Sequence, residues 1–126
     1  MRDEDKVILI IDDEPDMCWA LELLLNKKGF FTQKAVDGRE ALTLLERNCF
    51  KMVFLDAKLP DIEGLELARQ IFKVDPAIAI IMVSGYFYKD DTGIQDALKE
   101  GLIRGFISKP FSNDEVIKVI ELTHSL

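Results

Sequence analysis

Histidine is almost absent from this 126-residue sequence: His124 is the only one. With that single residue near the end of the sequence, neither a histidine-based catalytic triad nor a multi-histidine metal site is expected. Cysteine is nearly as scarce. Cys18 and Cys49 make no disulfide framework and match no zinc-site spacing, so both are expected to be reduced thiols in the core or half-buried. No apolar run approaches the roughly 18–20 residues that span a bilayer. The charged start, residues 1–6, with a short apolar run behind it does not make a signal peptide. Cations are outnumbered, 16 Lys and Arg against 23 Asp and Glu, and a net charge of −7 argues against direct nucleic-acid binding. There is no internal repeat, low-complexity tract or Pro/Gly/Ser-rich linker. What is present suits one domain, residues 1–126: with 48% hydrophobic residues the chain can bury a core. A soluble cytoplasmic protein is expected.

The apolar segments alternate between two lengths. Residues 7–11 (Val-Ile-Leu-Ile-Ile) form a β-branched run too short for a helix, the pattern of a strand buried on both faces of a parallel sheet. Pro15 and Asp16 suit a helix first turn, followed by Met17, Ala20, Leu21 and Leu24 as the buried stripe and a stop at Lys27-Lys28-Gly29. Residues 30–36 read as a more polar strand, placed at a sheet edge. Asp37-Gly38 turns into a helix marked by Ala41, Leu42, Leu44 and Leu45, ending near Asn48. Strands follow at 52–55, 78–83 and 105–108. Helices are expected at 64–74, 92–100 and after Ser112 or Asn113, with Glu115 in the first turn. The order is (βα)5. Right-handed crossovers turn it into a doubly wound α/β sheet of five parallel strands, order 2-1-3-4-5.

Ligands of such sheets bind beyond the carboxyl ends of the strands. There the sequence puts Asp12 and Asp13 after strand 1, Asp56 after strand 3, Ser84 after strand 4 and Lys109 after strand 5. Strands 1 and 3 are neighbours in this order. Two carboxylates about 5 Å apart repel by roughly 3 kcal/mol at an effective dielectric of about 20. Lys109 offsets part of that repulsion. A hard divalent ion would offset more, which predicts Mg²⁺, or Mn²⁺ as a substitute, on Asp12 or Asp13 together with Asp56. Carboxylates, Mg²⁺, a lysine and a hydroxyl are the parts of phosphoryl transfer, with Asp56 as nucleophile.

Four motifs now stand in order: Ile-Ile-Asp-Asp-Glu-Pro (10–15), Leu-Asp-Ala-Lys-Leu-Pro-Asp-Ile-Glu-Gly (55–64), Val-Ser-Gly-Tyr (83–86) and Phe-Ile-Ser-Lys-Pro-Phe (106–111). With them the chain resembles, nearly end to end, the receiver domains of two-component response regulators, which have a CheY-like, flavodoxin-like fold. The resemblance implies that Asp56 accepts a phosphoryl group from a sensor histidine kinase or phosphotransfer protein. It implies Mg²⁺ on Asp12, Asp13, Asp56 and the backbone carbonyl of Lys58, with Lys109 pairing to the phosphoryl oxygens. Ser84 would move toward the phosphoryl group and Phe106 would turn inward as the switch, altering the surface of helix 4, strand 5 and helix 5. The Lys109-Pro110 bond is expected to be cis. A fused or separate output domain and a phosphorylation-dependent dimer are implied partners. The stretch from Ser84 to Lys109 is longer than usual in the family, with the extra residues placed in 86–93 and near 102–105.

Two rivals use the same residues differently. A degenerate receiver would bind partners without phosphorylation. A haloacid-dehalogenase-like phosphatase would want an aspartate where Lys58 stands. Lys58 instead adds a cation at the site mouth, where it would screen the phosphoryl group from water or steer partners. Trp19 and Leu23 lie off the expected stripe of helix 1 at i, i+4 and would form an apolar patch, either a lid over a loop or a docking surface for a helical partner. Tyr86, Phe87 and Tyr88 form an aromatic cluster that serves packing or an output partner.

Overall fold

The computed structural model describes residues 7–85 and 92–124. Ten elements alternate: β1 (Val7–Ile11), α1 (Pro15–Lys27), β2 (Phe31–Ala35), α2 (Gly38–Arg47), β3 (Met52–Asp56), α3 (Gly64–Val74), β4 (Ala79–Ser84), α4 (Thr92–Glu100), β5 (Gly105–Ser108) and α5 (Asn113–His124). The strands form one parallel sheet in the order β2-β1-β3-β4-β5, a CheY-like flavodoxin fold, as the sequence predicts. The tyrosine-containing stretch 86–88 lies outside the described residues.

The period-2 geometry of a strand divides each apolar run between two cores. Leu9, Ile11, Val53, Leu55, Ile80 and Met82 face α2, α3 and α4. Ile8, Ile10, Met52, Phe54, Ile81 and Val83 face α1 and α5. Unbroken β-branched runs are required because both faces are covered. β2, at the edge, buries only Ala35.

Three expectations need correction. The buried stripe of α1 is Cys18, Leu21, Leu24 and Leu25, while Met17 is half-buried and Ala20 exposed. With Pro15 fixing the helix start, the 18–21–25 spacing points at the sheet, and 17 and 20 fall at its margin. β2 is also shorter than 30–36: Phe30 is still in the turn, its N–H donating to the Leu25 carbonyl at 3.0 Å. Both cysteines are free: Cys18 is buried as expected, but Cys49, expected in the core or half-buried, is exposed in the segment between α2 and β3.

Helix caps follow the sequence. Asp37 accepts from the Glu40 amide at 2.8 Å. Ser112 accepts from the Glu115 amide at 3.2 Å, and the Glu115 carboxylate accepts from the Ser112 amide at 3.3 Å, a capping box.

Candidate functional site

Parallel register brings the strand ends to one rim. Ile11 pairs with Leu55, Asp56 with Val83, and Ser84 with Ser108. The residues just beyond or at these ends are Asp12, Asp13, Asp56, Ser84 and Lys109, as the sequence order requires.

Asp12, Asp13 and Asp56 each offer a carboxylate oxygen, and these oxygens lie within 4.8 Å of one another. Asp12 and Asp56 are buried; Asp13 is exposed. Lys109 reaches into the group. Its Nζ lies 2.9 Å from Asp12 Oδ2, 3.1 Å from Glu14 Oε1 and 3.8 Å from Asp56 Oδ2. The other Asp12 oxygen accepts from the Glu14 amide at 2.9 Å, which fixes that carboxylate at the start of α1. Asp56 Oδ1 accepts from the Lys58 amide at 3.3 Å. The Lys109-Pro110 bond is cis, as expected, and the Lys109 amide donates to the Ser84 carbonyl at 2.7 Å.

The electrostatics follow from this crowding. Burial, then the Asp12 charge, push the Asp56 carboxyl up to about 6, against the pull of Lys109 and the Lys58 amide. Burial works against the charge on Lys109. Its hydrogen bonds to Asp12 and Glu14 and the charges of Asp12 and Asp56 outweigh that, so its pKa is raised. Burial raises the Cys18 thiol to about 11, so it is neutral at physiological pH and no nucleophile. Its Sγ instead donates to the Asp12 carbonyl at 3.3 Å.

An open cleft of about 260 Å³ gives access, lined by Asp13, Glu14, Asp56, Lys58, Gly85 and Lys109. The donor set is all hard oxygen: three carboxylates face one ammonium, and burial, with the Asp12 charge added to it, keeps the Asp56 carboxyl raised. These residues fit a small, hard divalent cation such as Mg²⁺.

Other expected residues fall as follows. Ser84 is fully buried at the end of β4. Phe106 is half-buried on β5 and packs against the core on the α2–α4 side. Trp19 and Leu23 are 61% and 42% exposed, as their position off the α1 stripe requires. Glu14 was legible only as an acid at a helix start; its bond to Lys109 joins residues 95 apart in sequence. Asp61 gave no local signal, yet it accepts from two amides at the start of α2.

The family model described as the response regulator receiver domain matches residues 8–121. Sporulation initiation phosphotransferase F of Bacillus subtilis is 32% identical over 109 residues, covering 86% of both chains. Response regulator protein PilR of Pseudomonas aeruginosa is 39% identical over 102 residues, which cover 81% of this chain but 22% of PilR. The crystal structure of response regulator protein TrrA from Thermotoga maritima, in complex with Mg(2+)-BeF, superposes with a TM-score of 0.82 at 29% identity, covering 94% of this chain and 98% of that one. The chain belongs to the response regulator receiver domain family.

Proposed function

We propose that this receiver domain takes a phosphoryl group onto Asp56 from the phosphohistidine of a sensor histidine kinase or phosphotransfer protein. An Asp56 carboxylate oxygen attacks phosphorus. The P–O bond forms as the P–N bond breaks, and the imidazole leaves and takes up a proton. Asp12, Asp13, Asp56 and the Lys58 carbonyl would hold Mg²⁺, which when bound supplies positive charge to the phosphoryl oxygens. Lys109, 3.8 Å from Asp56, is close enough to pair with a phosphoryl oxygen there. Ser84 and Phe106 are the switch pair, and the altered surface is that of α4, β5 and α5. Catalysis is confined to the domain's own phosphorylation and dephosphorylation. The output is a changed contact with a fused or separate output domain, or a phosphorylation-dependent dimer; the much longer PilR supports the former. No described helix is long and apolar enough to cross a membrane, and a cytoplasmic place is part of the proposal.

One observation carries this reading: three carboxylate oxygens within 4.8 Å of each other beside the Lys109 ammonium. The test is phosphorylation by a small acyl phosphate with Mg²⁺, read by intact-protein mass. A single adduct is expected in the wild type and none in Asp56→Asn. No adduct in the wild type would establish the degenerate receiver, and turnover of added phosphate esters would establish the phosphatase.

Trp19 and Leu23 are proposed to dock the kinase, since they are exposed on the helix that begins at the site. Trp19→Ala should slow transfer from the cognate kinase at least tenfold, about 1.4 kcal/mol, the loss of one aromatic anchor, and leave uptake from the small donor unchanged. Equal kinase transfer in both proteins would remove Trp19 from the interface.

A further inference from the structure

The β3–α3 loop, residues 57–63, carries the Lys58 backbone, whose amide meets Asp56 Oδ1 at 3.3 Å. Near its base the loop is closed by an antiparallel bridge between Lys58 and Glu63 and by the Gly64 amide donating to the Ala57 carbonyl at 2.9 Å. Its tip is fastened differently. Both oxygens of the Asp61 carboxylate accept from the first turn of α2: Gly38 N to Oδ1 at 2.9 Å and Arg39 N to Oδ2 at 3.1 Å. Ile62 lies against the same turn, so close that a Cβ on Gly38 would sit 2.5 Å from its Cγ2.

The first turn of α2 therefore has two acidic caps with separate partners. Asp37, the residue before the helix, takes the amide of Glu40. Asp61, from a loop 23 residues on, takes those of Gly38 and Arg39. A helix needs these amides satisfied, and an adjacent side chain or water can do that. Using a carboxylate from the loop adds a second effect: it ties the loop that presents Lys58 to a helix packed on the core.

We infer that Asp61 is a positioning residue for the acidic site, holding the β3–α3 loop against α2 so that the Lys58 backbone stays in place beside Asp56. Asp61 is not a member of the carboxylate cluster, and its oxygens are engaged by Gly38 and Arg39; its action on the site runs through Lys58. The inference rests on the proposed Mg²⁺ site, in which the Lys58 carbonyl is a ligand, and it assigns the support of that ligand to a named side chain. Residues that orient metal ligands from behind typically alter affinity by 10- to 100-fold.

Mg²⁺ affinity of the intact chain, by calorimetric titration, tests it in four proteins. Asp61→Ala should weaken Mg²⁺ binding about tenfold. Asp61→Asn, which retains one acceptor oxygen, should lose less. Asp37→Ala removes a cap from the same helix turn without freeing the loop, so its affinity should stay within about twofold of wild type. Amide exchange should rise at Lys58 and Gly64 in Asp61→Ala with the rest of α3 protected, a readout that also stands if that variant is less stable. Wild-type affinity in Asp61→Ala, or an equal loss in Asp37→Ala, would overturn the inference and leave the metal site standing. A wild-type protein that binds no Mg²⁺ would overturn both.

Discussion

Asp56 sits in an environment that penalises its charge. Its carboxyl is raised from 3.8 to about 6 by burial and by Asp12. Between those values the folded state binds more protons than the unfolded state. Stability of the metal-free protein therefore falls as pH rises from about 4 to about 6, and the whole penalty is present above that window. Two pKa units correspond to roughly 3 kcal/mol, an upper figure for this site. Asp56→Asn cannot ionise. In chelator it should be more stable than wild type by about 1–3 kcal/mol at pH 7.5, with the gain shrinking below pH 6 and gone near pH 4. Urea midpoints at four pH values would check it. A gain that is constant with pH would mean that the charge on Asp56 is not the cause.

At the scale of the element, the junction of β3 and α3 is packed backbone against backbone beside the site. A Cβ on Gly64 would lie 2.7 Å from Ala57 Cα and 2.8 Å from the Asp56 carbonyl oxygen. Both are backbone atoms of the segment that carries Asp56, so neither can rotate away. On Gly38 the nearest atom is a methyl of Ile62, which can. Gly64→Ala should destabilise by about 2–3 kcal/mol and slow phosphoryl uptake on Asp56, whereas Gly38→Ala should cost less. Ser112→Ala, which removes the capping box of α5, should cost about 1 kcal/mol with uptake unchanged. Thermal melts paired with the mass assay separate these cases. Uptake at the wild-type rate in Gly64→Ala would show that the junction does not position Asp56. Local pattern made much of this level readable. Val7–Ile11 and Ala79–Ser84 are too short and too branched to be helices, and Ser112 with Glu115 is a cap in its own right. The phase of α1 was not readable, because Cys18 and Ala20 are both small and only the entry from Asp13 through Pro15 decides which one faces the sheet.

Across the whole molecule, three strand ends bring charge from residues 12 to 109 to one rim, and a fourth brings the Ser84 hydroxyl. That convergence could be read in the sequence, because strand order 2-1-3-4-5 follows from alternation and handedness, Asp12 and Asp56 directly follow apolar runs, and Lys109 follows the short strand Gly105–Ser108. Contacts between loops could not. Asp61 with Gly38 and Glu14 with Lys109 depend on where two irregular segments meet in space, which no periodicity encodes. The same convergence makes stability depend on ions. Repulsion among Asp12, Asp13 and Asp56 opposes folding, and a cation bound only to the folded state reverses the sign. At 100 times its dissociation constant, Mg²⁺ would add about 2.7 kcal/mol, or roughly 8–12 °C in melting temperature for a domain of this size. Asp56→Asn should invert the order: more stable than wild type in chelator, and less responsive to Mg²⁺ because it has lost both a ligand and part of the repulsion that the ion relieves. Melts of both proteins in chelator and in Mg²⁺, at matched ionic strength, would show the two lines converging or crossing. Parallel lines would mean that the ion acts on the general acidity of the chain, a net charge of −7, and not at this cluster.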